Sequence, residues 1–318
     1  MAQHEWAPHE WAQHEWALRE RAQHEWGRAV IWVNAIVQGL LLGGLYALFA
    51  CGLSLMFGVM RIVNLAHGDF AVLAAFLAYS VATATPLGTL GATLVIVPAF
   101  ALFGYVVQRG LIQRALTVGP LSTLLATFGL SIVIQNSLQQ AYSADTKALD
   151  PGSLVSASLH LGGGIDVAYL ALITFALAVL VLVGLQLFLK VTRTGRMLRA
   201  AADDSGAAEL VGADSRHLYG IATALAFGTV ALAGLMFAMR SSFDPSIGPT
   251  RLLFAFEAVV IGGLGSLWGT LAGGMVLGLA QTLGAQYDPA FTLLAGHLVF
   301  LAVLAFRPQG LIPARSAL

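Results

Sequence analysis

The sequence predicts an all-α protein, a polytopic bundle of about eight to nine membrane-crossing helices. Three observations carry this prediction. Only 10% of the 318 residues are charged and 58% are hydrophobic, against about a quarter charged in an ordinary soluble domain. The apolar residues come in runs and not in the alternation of half-buried strands. Several runs reach or approach the ~20 residues that a helix needs to cross a bilayer core. The run 167–189 has one polar break near each end, Thr174 and Gln186, and 218–239 carries no charge.

Residues 1–28 stand apart. HEW recurs at His4, His9, His14 and His24, and RER fills the same register at Arg19. A period of five turns a helix about 140° beyond one full turn, so the repeat makes no fixed face. The spacing is not that of an H-E-x-x-H zinc motif. The segment is expected to be a low-complexity, disordered extension, or the product of a start codon placed ahead of the true one. It is too polar for the core of a signal peptide. The membrane domain is then 29–318.

Spans are expected near 34–57, 69–85, 88–108, 121–141, 167–189, 218–239, 252–264, 268–284 and 291–306. The seventh and eighth are short, and the glycine-rich stretch 262–274 between them predicts a tight hairpin or half-helices. The segments 45–79 and 254–281 share an outline of apolar run, polar or glycine break and second run. Transporters are often built from such internal repeats with broken helices near the site.

The positive-inside rule sets the orientation. Lys190, Arg193, Arg196, Arg199 and Arg216 cluster in one island, Arg109 and Arg114 in the connection 109–120, and Arg307 and Arg315 after the last span. With these cytoplasmic, the loops 142–166 and 240–251 face outside.

Arg61, Asn64, His67 and Asp69 fall between two apolar spans, where each charge deep in lipid costs roughly 2.5–3.5 kcal/mol on insertion scales. They are expected either to form a solvated cytoplasmic turn or to line the translocation path, and Arg61 is a candidate partner for Asp69. Gln135 with Gln139, and Asn136 with Gln140, share helix faces at i, i+4. These amides suit a path for a zwitterion, a helix–helix contact or an outer interface. Glu257 needs a partner, with Arg251 and Arg240 the candidates, and His297 reads as a satisfied packing residue. Gly269 and Gly273 suit close helix approach.

The island 190–217 reads as one or two short amphipathic helices on the cytoplasmic side, with Asp203, Asp204 and Ser205 as N-cap candidates and Gly212 as a stop. Ala207, Leu210 and Val211 lie at i, i+3, i+4. The chain has no G-x-x-x-x-G-K-[ST] loop, so it does not bind ATP by that route. Were transport ATP-driven, force would enter through a cytoplasmic knob seated in the groove of a separate ATPase. Arg196, Arg199, Asp204, Ala207, Glu209, Leu210 and Val211 are the residues expected to do this. Arg61, Asn64, His67, Asp69, Gln135, Gln139 and Glu257 are those expected along the path or gate.

A net charge of zero gives no argument for nucleic acid. The single Cys51 makes no internal disulfide. No nucleophile or metal set has sensible spacing, so an enzyme, a cofactor and a metal centre are not expected. A self-sufficient transporter driven by an ion gradient, with Asp69 and Glu257 carrying protons, is the competing reading.

Four motifs then occur in order. They are "GLSLMFGVMRIVNLAHGDF" (52–70), "GRMLRAAADDSGAAELVGAD" (195–214), "VVIGGLGSLWGTLAGG" (259–274) and "FRPQGL" (306–311). Over roughly 33–313 the chain resembles the membrane permeases of bacterial ABC importers for branched-chain amino acids, of the N-x-A-H-G type. The resemblance implies the ABC importer permease fold in the bacterial plasma (inner) membrane. It also implies a second, related permease with which the path is formed, two ATP-binding cassette ATPase subunits, and an external solute-binding protein that delivers an amino acid. Urea and short-amide permeases look alike and form the alternative substrate class. The HEW segment has no counterpart in the family.

Overall fold

The computed structural model describes residues 8–152, 157–160, 162 and 164–313, with residues 8–29 as backbone alone. Helix α1 (Pro8–Met60) is followed by α2 (His67–Ala84) and α3 (Gly88–Val107). A π-helical turn over Gln108–Ile112 joins α3 to α4 (Gln113–Val118), and α5 (Pro120–Tyr142) follows. A small antiparallel hairpin comes next, β1 (Ser158–His160) against β2 (Asp166–Ala168). The chain continues through α6 (Tyr169–Val191), α7 (Arg193–Asp203), α8 (Ser205–Leu210), α9 (Ser215–Arg240), α10 (Gly248–Gly262), α11 (Leu267–Tyr287) and α12 (Phe291–Phe306).

The protein is an all-α multi-pass membrane bundle. Among the described residues, six helical segments have the length and apolarity to cross a bilayer: 30–60, 67–84, 88–118, 120–142, 169–191 and 215–240. The pair α10–α11 passes together with a 114° bend, and α12 is a further apolar helix of 16 residues. Large apolar side chains project outward from α3, α5, α6 and α12, among them Leu94, Leu121, Leu180 and Leu298. So much outward apolar surface is at home in lipid and not in water.

The helical backbone of α1 runs on through residues 8–28 of the repeat region. Its Ala, Glu, Gln, Arg and Leu are good helix formers. Residues 1–7 of that segment lie outside the described residues. The connection 109–120 is also helical, because the π turn carries α3 on into α4. Gln108 is fully buried there, its amide oxygen accepting from the Thr223 hydroxyl of α9 at 2.8 Å.

Helix ends fall on two faces. The end of α1, the π turn, α7, α8 and the starts of α9 and α11 share one apolar cluster through Met60, Ile112, Leu198, Ala208, Leu218 and Leu267. The segment after α12 joins the same face, where the Leu311 and Ile312 amides donate to the Ile261 and Gly262 carbonyls at 2.8 and 2.9 Å. The connection 109–120, the island 190–217 and the segment holding Arg307 therefore lie on one face. On the opposite face, Lys147 and Phe243 exchange a pair of backbone hydrogen bonds of 2.8 Å, which joins the two loops expected outside.

Helix α1 is the axis of the bundle and packs along α11 in antiparallel fashion. A methyl on Gly43 would lie 2.4 Å from the Met275 Cα, and one on Gly278 would lie 2.3 Å from the Gly39 carbonyl. Such approach is open only to glycine. Gly269 and Gly273 instead face Gly262 and Ala258 of α10, closing the α10–α11 hairpin. Gly263, at φ 114°, turns that corner.

Candidate functional site

Two helices begin inside the bundle. After Met60 the chain turns back, and α2 starts at His67, whose Nε2 lies 2.9 Å from the Phe49 carbonyl of α1. Phe49 lies 11 residues before the end of α1, or about 16 Å by helical rise. That is about half of a ~30 Å bilayer core. Helix α10 starts at the same depth. A methyl on Gly68 would lie 1.9 Å from the Gly248 carbonyl oxygen, and one on Gly248 would lie 2.0 Å from Asp69 Oδ1. The starts of α2 and α10 thus touch, glycine on glycine, with the Asp69 carboxylate between them. The break that meets α2 is 241–247, ahead of α10. The glycine turn 263–266, which the sequence outline had paired with it, sits on the arginine-rich face.

The side chains at this junction are buried and incompletely satisfied. Asn64 is fully buried; its Oδ1 accepts from the Ala66 amide at 3.0 Å, while Nδ2 has no partner. Because a carbonyl only accepts, the His67 ring donates from Nε2 to Phe49, which leaves Nδ1 unpartnered. Asp69 is 1% exposed and neither of its oxygens makes a hydrogen bond of normal geometry. Its nearest polar neighbours are Ser131 and Gln135 of α5, which bond each other at 3.1 Å. Thr127 of α5 accepts from the Leu65 amide at 3.2 Å and fixes the turn-back segment. Two helix N-termini each place about half a positive charge here, which is what sustains a buried carboxylate with no cation beside it.

The structure sorts the expected path residues. Asn64, His67, Asp69 and Gln135 come together. Arg61 does not join them: it is exposed at the end of α1 with φ 55°, so the proposed Arg61–Asp69 pair does not form. The turn-back carries Asp69 into the bundle and leaves Arg61 at the charged face. Gln139 is exposed, beyond the junction, and Asn136 bonds the Ile132 carbonyl of its own helix at 2.8 Å.

Glu257 belongs to a second cluster. Its partner is His297 of α12, whose Nδ1 lies 2.5 Å from Oε1, and not Arg251 or Arg240. Arg251 instead lies 4.1 Å over the Phe237 ring, a cation–π contact. The Tyr46 hydroxyl donates to Gln281 at 2.5 Å nearby. Neither His297 nor Gln281 could be assigned from sequence spacing, because the contacts join residues 40 and 235 positions apart.

The island folds as two helices. Thr192 caps α7 through the Gly195 amide at 2.9 Å, Asp204 caps α8 through the Ala207 amide at 3.0 Å, and Asp214 caps α9 through the His217 amide at 3.1 Å. Gly212 stops α8 at φ 89°. Helix α7 buries Gly195, Leu198, Ala201 and Ala202 against the bundle. Helix α8 buries only Ala208, while Ala207, Glu209, Leu210 and Val211 project outward. Leu210 and Val211 are 89% and 85% exposed. Arg196 is exposed but donates from Nη1 to the Val191 carbonyl at 2.6 Å, closing the end of α6. Arg199 is half-buried.

The sequence profile of the family described as "Branched-chain amino acid transport system / permease component" matches residues 35–306. That interval takes in both breaks, the junction and the island. The chain belongs to this family. It is a transport permease and not an enzyme. It is 28% identical over 294 residues to the high-affinity branched-chain amino acid transport system permease protein BraD of Pseudomonas aeruginosa, covering 88% of this chain and 95% of that protein. It is 26% identical over 295 residues to LivH of Escherichia coli, with the same coverage. A shorter likeness, 29% over 152 residues, links it to LivM of Escherichia coli, over 46% of this chain and 35% of that protein. No solved structure matches this permease.

Proposed function

We propose that this permease is the membrane subunit of an ATP-driven ABC importer in a bacterial inner membrane, and that it carries branched-chain amino acids. It forms the path with a second, related permease. Two ATPase subunits act on it from the cytoplasm, and an external binding protein delivers the solute. The names of the relatives favour amino acids over urea or short amides.

The observation that carries the coupling role is α8. A bilayer does not cover it, since it lies at the face where the arginines gather. Water gains nothing from two bare apolar side chains, Leu210 and Val211, at its tip. A groove on an ATPase fits such a knob. Because α7 packs beneath it on α6, α1 and α9, a push on α8 reaches the helices that bracket the junction.

The test is uptake of radiolabelled leucine by proteoliposomes holding the permease with its partner subunits. Uptake should require ATP and the binding protein. Uphill uptake by this chain alone on an ion gradient would overturn the reading.

A further inference from the structure

Resting on the permease reading above, we propose that the junction of the α2 and α10 starts is a solute subsite for a zwitterionic, branched aliphatic amino acid. Asp69 takes the ammonium, and the apolar groove beside the junction takes the side chain.

Three features converge here. The first is the buried Asp69 carboxylate, which has Ser131 and Gln135 of α5 beside it and no cation, wedged where α2 and α10 begin. A carboxylate in such a place ordinarily has a cation or several donors. The second is charge balance. Two helix starts together offset about one negative charge, so the junction with an ionised Asp69 is close to neutral. A net-neutral zwitterion preserves that balance, its ammonium on Asp69 and its carboxylate toward the helix-start amides. A bare anion or a bare cation does not preserve it. The third is a groove of about 280 Å³ lined by Val63, Leu65, Pro249, Leu252, Leu253 and Phe256. Val63 and Leu65 flank Asn64 on the turn-back, and Pro249 follows Gly248. The lining is almost wholly apolar and carries no charge, which suits an aliphatic side chain and excludes a sugar or an amide.

In this structure Asp69 is buried beside the Gly68–Gly248 contact and does not line the groove. The two glycines bring the helix starts so close that no side chain intervenes. Parting the helix starts by a few ångströms joins carboxylate and groove into one site, and closing them expels the solute. On this proposal the contact acts as the door of the subsite.

The test uses the assembled permease pair in nanodiscs with radiolabelled leucine as the probe, displaced by unlabelled leucine or by 4-methylpentanoate, which keeps the branched chain and lacks the ammonium. Leucine should displace at least tenfold better than 4-methylpentanoate on the wild type. In Asp69→Asn that preference should fall close to one. Leu252→Trp, which fills the groove, should weaken leucine at least fivefold more than alanine. No saturable leucine binding, equal displacement by the two compounds on the wild type, or an undiminished preference in Asp69→Asn overturns the subsite. Should Asp69→Asn fail to insert, the wild-type comparison and Leu252→Trp still decide. ATP-driven uptake by the same complex separates the two claims: transport without these preferences removes the subsite alone, and loss of transport in the wild type removes the importer reading.

Discussion

The junction at mid-membrane and the knob at the charged face break the ordinary rules of burial in opposite ways. At the junction, Asn64, His67 and Asp69 are buried with polar atoms unpaired. At the knob, Leu210 and Val211 are apolar and almost fully exposed. Each departure costs stability when the chain is taken by itself, and each identifies the kind of partner that removes the cost. Unpaired buried polar atoms fit a small polar ligand, and bare apolar atoms outside lipid fit another protein. The cluster of Glu257 with His297 is the control, a buried carboxylate whose donor comes from its own chain.

The largest effect should come from the knob. Leu210→Asp with Val211→Asp should cut ATP-dependent leucine uptake more than tenfold. Its melting temperature should stay near that of the wild type, because exposed substitutions shift stability by about 0.5 kcal/mol or less. An equal loss of melting temperature would make the knob structural and erase the contrast. Next comes the control pair. His297→Ala leaves Glu257 buried without its donor and should destabilise the protein by about 1–3 kcal/mol, seen as a lower melting temperature in detergent. Asp69→Asn should behave oppositely. It removes a buried charge that has no cationic partner to lose, and an amide still suits Ser131 and Gln135, so stability should stay within about 1 kcal/mol of wild type or rise. A fall as large as that of His297→Ala would mean that Asp69 is a satisfied structural group. The smallest effect belongs to Arg196→Ala, which opens the end of α6 by removing the bond to Val191. A cation at a helix C-terminus contributes about 0.3–1 kcal/mol, and uptake should fall less than in the Leu210 and Val211 variant.

The two regions also differ in how far the sequence disclosed them. The knob is local. Asp204 as cap, Gly212 as stop and the 207, 210, 211 stripe act within a few residues, and all three appear in the folded chain. Span positions were equally legible, since each rests on one apolar run. The junction is nonlocal. Polar residues at 61–69 signalled a break, but hydropathy gives no depth. Whether Arg61 or Asp69 would enter the bundle depended on the backbone turning back at that arginine. The meeting of Gly68 with Gly248, and the choice of His297 for Glu257, arise from packing between distant segments that no spacing encodes.

The central claim is that the knob governs the junction. It is tested most directly by the reactivity of Asn64→Cys, with Cys51→Ala removing the only native thiol, toward a membrane-impermeant maleimide in the assembled importer. Asn64 is fully buried in the closed junction. ATP with vanadate should change the labelling rate at least tenfold, and Leu210→Asp with Val211→Asp should abolish that change. A rate indifferent to nucleotide, or one that responds equally in the knob variant, would contradict the account.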